Sequence, residues 1–285
     1  MFKTQYHYLV SSLPELAFDQ SKLPFSLSDY SEELNRHLRK EDTDLFRFLL
    51  LPYDNYNLIN ILEKKEKPFN DLGNFSREYL EEAVKTQEKT PDPFIPSTME
   101  AYIHKFIVHY KNSSPLHSHL NWENQLSYLY YDFVLNNTGN EFLINWLHFE
   151  RNLTNMEVAL NVRNHHLSME KELVGDDVVV ETLMSVKAKD FGMGQDYEYI
   201  NTLINAYENT HLVERERLID QLKWNKLQEF TSFYFFTVEL ALAYFIKLRI
   251  LDRWAKLSKE EGRKVFNNII NKLQNSYEFP KEFVL

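Results

Sequence analysis

The residues that could carry chemistry are scattered, and few stand at a spacing that chemistry needs. His119 and Glu123 are four apart, one helical turn, with His117 just before them. His165 and His166 precede Glu170 by a similar interval. Imidazole and carboxylate at that spacing could ligate a metal ion. Yet no HExxH occurs, and no EExxH pair from two helices of the kind that carboxylate-bridged iron sites use. Asp190-Phe-Gly192 matches the kinase DFG triplet, but the Gly-rich loop, strand lysine and HRD segment are missing. The triplet therefore reads as a loop, with Gly192 and Gly194 as turn residues. Glu32-Glu33, Glu81-Glu82 and Asp176-Asp177 are adjacent pairs, which diverge on a helix and suit solvated faces. There is no GxSxG, and Glu214–Arg217 reads as a mixed-charge helix face. No catalytic residue, metal or cofactor is expected.

Composition narrows the field further. The chain has 285 residues and no cysteine, which excludes disulfides, thiolate catalysis and Cys-ligated metal. It has six glycines where average usage would give about twenty. That disfavours folds built on many tight turns, and neither GxxxxGK[ST] nor GxGxxG is present. The net charge is −10 and no Lys/Arg-rich run stands out, so nucleic-acid binding has little electrostatic basis. Seventeen tyrosines and twenty-one phenylalanines supply a large aromatic core. The N-terminus lacks the apolar core of a secretory signal. The longest apolar stretch, Phe233–Ile246, holds Glu239 and is too short for a membrane span, so it reads as a buried core helix. A cytoplasmic protein is expected.

The elements that would position these residues are helices. Ser97-Thr-Met-Glu100 and Ser258-Lys-Glu-Glu261 read as capping boxes. Behind the first, Met99, Tyr102, Ile103, Phe106, Ile107 and Tyr110 form one helix face; behind the second, Val265, Phe266, Ile269, Ile270 and Leu273 do. Leu212, Leu218, Ile219, Leu222 and Leu227 mark another stripe. Further helices fall near 29–40, 54–66, 76–88, 119–136, 154–172, 196–208 and 234–257. Tyr6–Val10 and Val178–Val180 are the only runs that could be strands. The Pro-rich segment 89–97 and, more weakly, Gly175–Asp177 divide a single all-α domain into three lobes, about 1–92, 93–175 and 176–285.

Those lobes share a pattern at a shift of 98 residues. Segment 45–65 laid over 143–163 puts Asp54 on Asn152, Asn57 on Asn155, Leu58 on Met156, Leu62 on Leu160 and Lys65 on Arg163. The same shift again brings in 241–261, with Tyr244 on Phe48 and Trp146, Arg249 on Arg151, and Arg253 at the Asn position. Each copy reads as an apolar helix, a break, then a second helix. Asp54 and Asn152 are expected to cap that second helix, with Asn57 and Asn155 tying its start to the preceding one. Asp54, Asn57, Asn152, Asn155, Arg163 and Arg253 are the residues expected to set lobe geometry, in structural roles.

At these residues the chain resembles the central-stalk socket subunit of V/A-type rotary ATPases, a family with prokaryotic and eukaryotic members. That family repeats a pattern like D-x-x-N-[LI]-x-x-x-[LI]-R. Asp54 through Leu62 looks like its first copy, Asn152 through Arg163 its second, and Leu240–Lys256 its last. QYHYLVSSLPEL and KLPF near the N-terminus also resemble an uncharacterised bacterial family of similar length, encoded among V-type ATPase subunits. The chain departs from the pattern at Asn152, which replaces an acid, at Glu63, where Arg is common, and in the last copy, where the expected acid is missing and Leu248, Arg249 and Ile250 stand instead. The resemblance implies three helical lobes around a pseudo-threefold axis, shaped like a funnel. It implies a socket for the rotor shaft, seated on the membrane proteolipid ring, peripheral at the cytoplasmic face and without an active site of its own. Its partners would be those subunits, with no nucleic acid and no small-molecule substrate. The alternative is an all-α scaffold or adaptor with another protein partner.

Overall fold

The computed structural model describes residues 5–20, 22–86, 99–165, 168–209, 211–257 and 262. Among these residues the protein is all-helical, with eleven α-helices, one short 3-10 turn and no strand. In order they are α1 (His7–Ser11), α2 (Leu27–His37), α3 (Lys40–Leu62), α4 (Arg77–Thr86), α5 (Ala101–Lys111), α6 (Trp122–Asn137), α7 (Glu141–His165), α8 (Val178–Ser185), α9 (Ile200–Asn209), α10 (Leu212–Thr231) and α11 (Val238–Lys256). Both capping boxes, at Ser97 and Ser258, and the stripe from Val265 to Leu273 include residues outside the described ones. Glu100 stands at the N-cap of α5 with no side-chain capping bond, and its carboxylate pairs with Arg47 at 2.8 Å instead.

Local chemistry sets the helix starts. Ser26 and Asp29 make a reciprocal capping box at α2. The Asn121 side chain accepts from the Asn124 N–H at α6, and Asp177 accepts from Val179 and Val180 at α8. That cap explains why Val178–Val180 is helical in spite of its β-branched run. Tyr6–Val10 is likewise helix, within and just before α1. Its Tyr6 hydroxyl donates to Asp42, and its Tyr6 N–H reaches Phe236 O at 2.5 Å. Neither candidate strand finds an extended neighbour to pair with.

Besides α10, at 20 residues, the long helices are α3, α7 and α11, at 23, 25 and 19 residues. They carry the three repeat segments, and each follows directly on another helix, α2, α6 or α10. α3 packs on α4 and α6; α7 packs on α6, α8, α9 and α10; α11 packs on α10, α2 and α1. The first helices thus close onto the last, and the Tyr30 hydroxyl of α2 fixes that closure by donating to Ala241 O of α11 at 3.0 Å. Phe46 of α3 meets Phe245 of α11 edge-on at 5.0 Å, a favourable aromatic geometry. Leu58, Phe46, Trp146, Leu153 and Phe245 are all fully buried.

The expected break before Asp54 and Asn152 is absent. α3 and α7 run straight through both residues, which are buried in mid-helix and cap nothing. Pro52 lies inside α3 and lacks the N–H that would bond the Phe48 carbonyl one turn back. A hydroxyl from another helix takes that place: Tyr130 of α6 donates to Phe48 O at 3.2 Å. The helix expected over Phe233–Ile246 begins only at Val238, leaving Phe233 and Phe235 exposed at 90% and 70% in the preceding loop.

This compensation makes a testable cycle. Tyr130→Phe orphans a buried carbonyl and should cost about 1–2 kcal/mol in urea unfolding. In a Pro52→Ala background, where residue 52 regains its N–H, the same change should cost much less. Equal costs in both backgrounds would show that the hydroxyl does not replace the missing bond.

Candidate functional site

The repeat motif is a pair of clasps. In α3, the Asn57 amide donates to Asn70 O at 2.9 Å and accepts from Asn70 N–H at 2.8 Å. In α7, Asn155 treats Val174 the same way, at 2.8 and 2.9 Å. Each side chain mimics a strand edge and holds both backbone groups of one residue in the returning loop. The two asparagines are 1% exposed, so this satisfies amides that would be costly to leave unpaired.

Beside the first clasp, the Asp54 carboxylate accepts the N–H groups of Asn74 and Phe75, each at 3.0 Å, and the Asn74 amide at 2.7 Å. Burial pushes Asp54 up to about 6, and those donors hold it from rising further. A Cβ added at Gly73 would overlap the Asp54 carboxylate, so the loop needs glycine there. The second copy inverts the charges. Asn152 has only a long contact, 3.5 Å, to the Tyr197 hydroxyl, and its Oδ1 is buried without a partner. One residue earlier, Arg151 pairs with Asp177, the residue that caps α8. Between Val174 and Asp177 the loop turns at Gly175 with φ +123, a conformation other residues avoid.

Two arginines complete the set. Arg163, at the Lys65 position, donates to Ala188 O and Lys189 O at 3.0 Å each and lies 3.7 Å over the Phe191 ring. It thereby holds the Asp190-Phe-Gly192 loop, in which Asp190 accepts the Gly192 N–H as an ordinary Asx turn. Arg253 of α11 pairs with Asp220 and, at 2.9 Å, with Glu216, both on α10. The structure therefore places all six motif residues at junctions between elements and gathers none into a common site.

What α3, α7 and α11 do share is a groove of about 440 Å³. Tyr56 and Asn60 come from α3, Tyr131 from α6, Glu150 and Thr154 from α7, Lys223 from α10 and Arg249 from α11. Arg249 and Glu150 pair at 3.0 Å. Burial alone would lower the Arg249 pKa, but Glu150 and the Tyr53 and Tyr130 hydroxyls outweigh it and hold the guanidinium charged. No nucleophile–base couple lies in the lining. Its mixture of aromatic, amide and paired charge suits a protein surface.

The other chemical candidates resolve into packing. The His117 ring packs on Tyr128 at 4.0 Å, tilted by 42°, and burial followed by the neighbouring His119 lowers its pKa. Among the described residues no cluster of three or more His, Asp or Glu is placed to hold a metal. Of the His165–His166 candidate, His166 lies outside the described residues. In the Glu214–Arg217 stretch, Arg217 pairs with Asp19 and Arg215 lies over Tyr207 at 4.3 Å.

Glu157 carried no sequence signal, since its partners come from other helices. Burial pushes it up to about 7 from an ordinary 4.5, Glu216 and Asp220 add to the rise, and Lys223 and Arg253 oppose it. Its Oε1 is buried without a hydrogen bond. A raised folded-state pKa means stability that is fully present below pH 4.5 and lost as the pH rises through about 7. Glu157→Gln should therefore melt above the parent at pH 8 and lose that advantage at pH 4. An unchanged difference across the range would refute the assignment. Separately, Asn57→Ala and Asn155→Ala should each cost about 2 kcal/mol in chemical denaturation. Gly73→Ala should cost at least as much, because Asp54 cannot withdraw without releasing its donors; a neutral Gly73→Ala would remove that role from the carboxylate.

No curated protein and no solved structure matches the chain. A family model described as protein of unknown function (DUF2764) matches residues 3–277, nearly the whole length. The chain belongs to that family.

Proposed function

We propose that this protein is a non-catalytic stalk subunit of a V/A-type rotary ATPase, a socket that couples the rotor shaft to the membrane proteolipid ring. One observation carries the reading. The three segments that resemble the stalk family's repeat lie largely in α3, α7 and α11, and all three helices border one groove through Tyr56, Glu150 and Arg249. In this reading the lobes stand about a pseudo-threefold axis and the groove is the mouth of the funnel. The protein would sit peripherally at the cytoplasmic face; no helix among the described residues is long and apolar enough to cross a membrane. Stiffness, which a coupling part needs, follows from close aromatic packing and clasped loops.

The second reading is a helical scaffold with another protein partner. Asn152 favours it, because the acid of the family pattern is replaced there and its Oδ1 is left without a partner.

An affinity pull-down from native membranes separates the two. The proposal expects ATPase head or rotor subunits among the recovered proteins. It also expects Thr154→Trp, which places bulk at an exposed position of the groove, to lower their recovery about tenfold. Recovery of other proteins without any ATPase subunit would overturn the stalk reading in favour of the scaffold.

A further inference from the structure

Beside the central groove lies a second one with different chemistry. It runs between the end of α3, the turn that follows, and α4, with a volume of about 530 Å³. Lys64, Lys65 and Lys67 border it from the turn, Arg77 and Lys85 from α4, and Glu81 is the only carboxylate in the lining. In a chain of net charge −10 this is a local reversal of sign. The floor is apolar, from Ile61, Pro68, Phe69 and Val84. Asn60 borders the groove as well; it is 8% exposed, and its Nδ2 is buried with no hydrogen-bond partner. A buried amide donor without an acceptor costs about 1–3 kcal/mol, so an acceptor arriving from outside would relieve it.

We propose that this groove binds an acidic amphipathic helix of a partner protein. The spacing of the charges selects that ligand. Arg77 and Lys85 are eight residues apart on one helix, about 12 Å along its axis. A single phosphate or carboxylate cannot reach both, whereas a helix with Glu or Asp along one side can. Its apolar side would then cover Phe69 and Val84, the helix-in-groove mode of recognition. The cations are held at the rim and only weakly engaged. Arg77 lies 4.9 Å over Phe69 and 3.8 Å from Glu81, and Lys85 stands 4.0 Å from the same carboxylate. Such exposed pairs contribute little and exchange readily. Lys65 is the exception, already engaged by Glu63 and Glu123. The assignment does not depend on the role of the central groove.

The test uses the full chain and a fluorescein-labelled helical peptide of Leu, Glu and Ala, about five turns long. Lys replaces Glu in the control peptide. Fluorescence anisotropy should show saturable binding of the acidic peptide alone, lost in about 1 M salt, where the Debye length is about 3 Å. Lys64→Glu with Lys85→Glu should weaken it at least tenfold, Lys85→Ala alone should weaken it measurably, and Thr154→Trp in the other groove should leave it unchanged. Circular dichroism confirms that each variant is folded. Absent binding, equal binding of both peptides, or displacement by equimolar tripolyphosphate would each overturn the proposal, the last by pointing to a small-anion site.

Discussion

A carboxylate or amide oxygen in the middle of a long buried helix must find its donors across the fold, because the N–H groups of its own helix are already paired. Asp54, Asn57 and Asn155 carry such oxygens, and much of the architecture can be read as the answer to their demand. The chain leaves α3 at Leu62, returns through 70–75, and delivers backbone groups to Asn57 and Asp54 before α4 begins. It leaves α7 at His165 and returns through Val174 to Asn155 before α8 begins. The position of α4 and α8 against the long helices follows from these returns. So does one of the few glycines, since only Gly73 leaves room for the Asp54 carboxylate.

The same logic works between long helices. A tyrosine hydroxyl replaces the bond that Pro52 cannot make, and another joins α2 to the start of α11. Each brings a large apolar ring and one polar atom with a fixed target, so it packs and orients at once. Seventeen tyrosines in a chain with six glycines make this device frequent and hinges rare. Phe236, with φ 54, shows a local exception: its carbonyl receives Tyr6 N–H and its ring meets His7 at 4.5 Å. That contact sets the loop before α11 and turns Phe233 and Phe235 outward.

Helix content, the buried stripe of α5 and the 98-residue spacing of the motif were legible in the sequence, because periodicity and spacing are local signals. The six motif residues were picked out by the same spacing, but the contacts they make were not legible. Asx followed by an apolar helix usually marks a cap, and nothing in the sequence says that the next turn is already paired and that the true acceptors or donors lie 13 to 21 residues on. The central groove was hidden for the same reason: Glu150 and Arg249 are 99 residues apart and meet only once α7 and α11 are packed. A shift of 98 nearly reveals them, since Arg249 falls on Arg151, but the partner Glu150 falls on Pro52 and Leu248 and matches neither.

Equivalent positions therefore do unequal work. Tyr53, Arg151 and Arg249 occupy one place in the repeat. Arg151 turns to the loop and holds Asp177, while Arg249 turns to the groove and holds Glu150. Tyr53 lies near enough to Arg249 to help hold it charged. At the Asn position, two copies clasp a loop and the third, Arg253, grips α10 through Glu216 and Asp220. Asp220 also accepts the Trp254 indole N–H at 2.7 Å, so one buried carboxylate joins α10 to α11 in place of a clasp. Three long helices with a common motif spacing thus border a groove whose walls differ in charge and shape.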